Sequence, residues 1–136
     1  MLLRTGAGRR RAASWRDGGA LSLSYVIVMP VIFLFLMVMI QASFWFLARN
    51  AALAAARQGA DAARALGSAR AAGPAAALSF ARQSGGGYLL DPRASSGAAG
   101  AATVSVTVSG RVPSFVPGLV VHVSETVQAP VEEFRP

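Results

Sequence analysis

The side chains that could do acid–base or metal chemistry are few and scattered. His122 is the single histidine and there is no cysteine. That leaves no ligand set for zinc and no general base beside a nucleophile. Of the six acidic residues, Asp17 precedes a long apolar run, Asp61 falls in a helical pattern and Asp91 precedes a proline. Glu125, Glu132 and Glu133 lie near the end, and no two form the facing carboxylates of a hydrolytic site. Gly85-Gly86-Gly87 lacks the lysine and the strand-to-helix setting of a phosphate loop. The sequence predicts no catalytic residue, no metal and no cofactor. A surface-tethered enzyme, the remotest reading, would have to work through His122 or Glu125.

The charge balance points to a membrane instead. The net charge is +7, and all thirteen basic residues are arginine. Nucleic-acid binding needs basic groups gathered on one face with stacking or base-reading groups beside them, whereas these are dispersed, so no nucleic-acid partner is expected. The one dense cluster, Arg4, Arg9, Arg10, Arg11 and Arg16, stands directly before the apolar run, where a topology signal belongs.

No charge occurs between Asp17 and Arg49, and residues 25–40 read YVIVMPVIFLFLMVMI. A membrane-spanning helix needs about 20 apolar residues, and residues 21–47 exceed that. Five arginines precede the run, against Arg49, Arg57 and Arg64 after it, so the N-terminus is expected inside and the C-terminus outside. The run is longer than the core of a cleaved secretory signal, about 7–15 residues, and Trp45 suits an interfacial belt. Two positions inside it need an account. Pro30 removes a backbone donor, a break that membrane helices tolerate, and reads equally as an ordinary kink or a functional one. Gln41 either hydrogen-bonds to a partner helix or meets water at the outer interface.

From Arg49 the pattern RNAALAAARQGADAARAL continues as helix, rich in the strongest helix former, with Asp61 spaced to meet Arg57 or Arg64 on one face. So many alanines bury little area, so this stretch needs a partner surface that tolerates close approach. Gly67 is the expected stop. Gly73-Pro74 punctuates the chain before a short helix over residues 75–83, and residues 84–87 and 95–102 read as flexible connectors. The period then changes to two. Residues 103–110, TVSVTVSG, are the clearest strand. Residues 120–127 form a second, with Val121, Val123, Glu125 and Val127 on one face. Pro113 and Pro117 forbid a continuous ladder between them. A lone hairpin is marginal in water, so the pair must lean on the helix or on another subunit.

In this order the elements resemble the TadE-like family of pilus-assembly pseudopilins of the tight-adherence (Flp) system. The resemblance is carried by a basic segment, Gly19, the Ser24-Tyr25 pair five residues on, Pro30 opening VIFLFLMVMI, and AARQGA at residues 55–60. It implies cleavage by a prepilin peptidase between Gly19 and Ala20, and side-by-side helix association through the region of Ser24, Tyr25, Pro30 and Gln41. Its implied partners are homologous pseudopilin subunits, the pilus-assembly machinery and the membrane. Ser24 stands where pilin-type chains carry a glutamate that can neutralise a neighbouring subunit's terminal ammonium. An uncleaved, membrane-resident assembly component is therefore the companion expectation to a processed one.

The expected fold is α+β: a long N-terminal transmembrane helix extending out of the membrane, then a small antiparallel hairpin or sheet, as in pilins. The expected divisions are a basic cytoplasmic leader (1–18), the membrane helix (19–48), its extension (49–67), a linker with a short helix (68–102) and an extracytoplasmic β region (103–136). The expected role is that of a non-enzymatic, single-pass minor pseudopilin or assembly protein. The alternative is a membrane-anchored envelope protein whose exported domain binds something unrelated to pili.

Overall fold

The computed structural model describes residues 17–65, 71–100 and 103–131. The basic cluster of the leader and the expected stop at Gly67 lie outside them. The elements run α1 (Asp17–Arg64), α2 (Ala72–Ser84), β1 (Leu90–Gly100), β2 (Thr103–Val112) and β3 (Val121–Pro130). This is the α+β arrangement expected, with a three-stranded antiparallel sheet of order β1-β2-β3. The chain divides into two compact units, Met1–Val38 and Met39–Pro136.

In the first unit, α1 passes through Pro30 without interruption. Pro30 has no N–H to give to the Val26 carbonyl, so the helix gives up one bond there. From Tyr25 to Leu36 its large side chains are exposed, Val26 at 68% and Phe33 at 64%.

The second unit holds the core. Its part of α1 buries a stripe of small residues, Ala48, Ala52, Ala55, Ala56, Gly59, Ala60 and Ala63, spaced as one face of a helix. The stripe belongs to one cluster with Ala77 and Ala81 of α2 and Val104, Val106, Val108, Val112 and Val123 of the sheet. The closest approach is at two glycines. A Cβ on Gly59 would lie 2.7 Å from the Ala77 Cβ, 2.7 Å from the Gly73 carbonyl oxygen and 2.9 Å from Val106 Cγ1. One on Gly73 would lie 2.8 Å from the Ala63 Cβ. The helices touch backbone to backbone over Val106 because neither carries a side chain there. The partner surface that the alanine stretch requires is thus the chain's own sheet and second helix.

β2 alternates as its sequence predicts, with Val104, Val106, Val108 and Val112 buried. β3 turns Val121, Val123, Glu125, Val127 and Ala129 toward the core side and His122, Ser124 and Thr126 outward. Across the outer face the Thr107 and Thr126 hydroxyls are 2.8 Å apart.

The segment 68–102 differs from the expected linker. It contains α2, which starts before Gly73-Pro74 rather than after, because a proline in the first turn lacks only a donor that would have no intrahelical partner. It also contains β1, LDPRASSGAAG, where residues 95–102 read as a flexible connector. Alanine, serine, glycine and proline have little strand preference of their own. β1 forms because β2 offers it a ladder from Leu90↔Arg111 to Gly100↔Thr103, and as an edge strand it accommodates Pro92. Between α2 and β1, Gly86 and Gly87 take φ of 50° and 80°, a conformation that costs glycine nothing. This turn lets Leu89 pack over Gly110, which has no room for a Cβ.

Candidate functional site

Six positions carry the sequence-based expectations, and the structure places them in two settings. Gly19, Ala20 and Ser24 lie within α1, and their side chains are outside the described residues. Tyr25 is exposed at 66% on the apolar helix. Pro30 lines a shallow apolar hollow with Met29, Ile32, Phe33 and Leu36. The stretch containing Tyr25 and Pro30 opens the helix, Tyr25–Arg64, that is long and apolar enough to cross a membrane, with a mean hydropathy of 2.5 in its most apolar part and none of that part buried.

Gln41 belongs to the second unit and does something neither sequence reading foresaw. Its amide nitrogen donates to the Pro113 carbonyl at 3.1 Å, and its amide oxygen accepts from the Phe115 N–H at 3.3 Å. Both ends of the side chain are therefore satisfied within the chain, and they fasten the β2–β3 connection to α1. One turn along, Phe44 packs against Phe115 edge-on, with centroids 5.4 Å apart, and against Tyr88 at 5.6 Å. Trp45 lies beneath the Arg49 guanidinium, 5.6 Å from its ring centre, and Arg49 donates to Glu125 of β3 at 2.7 Å. Helix, α2–β1 turn and β2–β3 loop thus meet in a collar of three aromatic rings, Phe44, Tyr88 and Phe115.

The collar is what sequence reasoning missed. It treated residues 111–119 only as a break between strands. The available signal was composition: residues 112–121 hold no charge and include Phe115, Val116, Leu119 and Val120, an unusual content for a solvent loop. Of the surface pairs expected on the helix, Asp61 meets Arg64 at 3.0 Å. His122 is exposed in β3 opposite Arg111, and Arg111 is ion-paired with Asp91. Among the described residues no three histidine or acidic side chains converge.

The described residues thus form an apolar helix, long enough to cross a membrane, and a small, alanine-packed α+β domain. Residues 19–61 match the family of TadE-like proteins, a stretch that takes in Gly19, Pro30 and AARQGA. The match ends just past Gly59, so it takes in both the apolar helix and the glycine on which α2 crosses. No curated protein and no solved structure matches the chain.

Proposed function

We propose that the protein is a non-enzymatic, membrane-anchored component of Tad pilus assembly. Its apolar helix spans the membrane with the N-terminus on the cytoplasmic side, holds the α+β domain outside, and associates with the helices of homologous subunits. The single observation that carries this reading is the exposure of every large apolar side chain described from Tyr25 to Leu36 within the TadE-like segment. Side chains such as Phe33 and Leu34 are exposed among the described residues, and water is a costly partner: each such side chain gains about 1.5–3 kcal/mol on leaving it. Lipid and neighbouring helices are the surfaces that fit.

The alanine stripe supports a division of labour. It is consumed inside the domain, which leaves residues 25–40 as the association surface. A photocrosslinker at Phe33 or Leu36 in native membranes should join the chain to other pilus-assembly subunits. Recovery of monomer alone would count against the association. Processing is tested separately. If a prepilin peptidase acts, the mature chain begins at Ala20 and Gly19→Val keeps the precursor intact; an uncut leader in wild-type protein identifies a membrane-resident component. Ser24 favours the latter, because a serine cannot neutralise the terminal ammonium that cleavage would place in the bilayer.

A further inference from the structure

We propose that the β2–β3 loop, residues 113–120, is a second membrane contact: its apolar tip inserts into the lipid interface beside the point where α1 emerges. This rests on the membrane-anchored reading above, and three independent features lead to it.

The first is composition and exposure. Phe115 and Val116 are each 52% exposed and Val120 59%; Leu119 is exposed beside them, and no charged residue lies between Arg111 and His122. A contiguous exposed apolar tip on a small domain marks a surface meant to be covered.

The second is position. Gln41 and Phe44 hold the loop against α1. A span of about 20 residues begun at Leu21 runs out close to Gln41. The loop is therefore fastened at the helix position where hydrocarbon gives way to headgroups. Tyr88 packs on Phe44 beside the loop, and Trp45 follows Phe44 on the same helix; tyrosine and tryptophan concentrate at that depth.

The third is the backbone. A loop entering lipid must satisfy its own polar groups. Here Pro113 and Pro117 have no N–H, Phe115 donates to Gln41, and Val116 donates to the Ser114 hydroxyl at 3.2 Å. Leu119 donates to the Val116 carbonyl at 3.1 Å, closing a turn with Pro117 and then Gly118, whose φ is 81°. That is the sequence and geometry of a type II turn. The turn is rigid and turns apolar side chains outward with few donors left for water. A docking loop for a polar protein surface would gain nothing from such economy.

The test uses the full chain in phosphatidylcholine vesicles, with lipids brominated at shallow or deep acyl positions and one tryptophan as reporter. In a Trp15→Phe, Trp45→Phe background, Phe115→Trp and, separately, Leu119→Trp report on the loop, while Phe35→Trp reports on the helix. The expected result is blue-shifted loop emission quenched most by shallow bromines, and helix emission quenched most by deep ones. Helix quenching with neither loop reporter quenched would overturn the loop proposal and leave the anchor standing. If no reporter is quenched, the membrane reading itself fails. A photocrosslinker at Leu119 that captures a second copy of the chain, with the loop shielded from bromine, would also overturn the proposal.

Discussion

Two stretches of α1 make opposite use of one backbone. Residues 25–36 carry valine, isoleucine, leucine, phenylalanine and methionine, and those side chains are exposed. Residues 48–63 carry alanine and a glycine on the face that is buried, with Ala48, Ala52, Ala55 and Ala56 at 0% exposure. The inversion of the usual rule, large inside and small outside, follows from what each stretch faces. On the proposed membrane reading the first stretch gains from bulk, because lipid is as apolar as its side chains. A helix lying directly on a sheet and a second helix gains from smallness, because dispersion contacts need backbones within reach. One helix thus exposes its large apolar side chains at one end and is a packing spine at the other.

The comparison can be broken at either end. The largest effect is expected from Gly59→Val. Its side chain must displace Ala77, the Gly73 carbonyl and Val106 together, and overpacking of this kind costs about 1–3 kcal/mol or more. With three obstructions the upper end is expected, lowering the melting temperature of the domain by roughly 10 °C or more while leaving the protein in the membrane fraction. Leu34→Arg should do the reverse. An arginine at mid-span costs about 2.5–3.5 kcal/mol on the insertion scale, so carbonate extraction should release more of the protein. Far-ultraviolet circular dichroism of the detergent-solubilised domain should stay unchanged.

Smaller effects sharpen the boundary between the two stretches. Gln41→Leu removes both hydrogen bonds to the loop at about 0.5–1.5 kcal/mol each. Hydrogen exchange at Phe115 should accelerate, with no matching change at Val106. Arg49→Ala is expected to be smallest. Arg49 is half exposed, and pairs at such positions are worth about 0–1 kcal/mol, so thermal melts should barely move. A large loss there would mean that the Arg49–Glu125 contact, rather than the alanine stripe, holds the helix on the sheet.

Much of this was legible in the residues. Periodicity alone placed β2 and assigned the faces of β3, because alternating valine with serine or threonine gives only one pleated arrangement a buried side. The family register from Gly19 to AARQGA was readable because each of its marks is a residue with restricted chemistry: a glycine, a proline, a run of alanines. Strand β1 was not legible. Its residues prefer no strand, and only the ladder offered by β2 makes one of them. Gln41 was half legible: a lone amide in an apolar run announces a hydrogen bond, but its partner lies 72 residues away. No spacing rule connects Gln41 to Pro113.

By itself the sequence determined that there is one long apolar helix and that α passes into β. These are properties of composition and period, which local physics reads directly. Only the tertiary structure decided that the alanine face is spent on the chain's own domain, that Gly59 and Gly73 are the crossing point, and that Phe115 joins Phe44 and Tyr88 in a collar. Each of those depends on which distant segments share a surface. That is settled by close packing and by satisfying buried polar groups together, not by any stretch of residues taken alone.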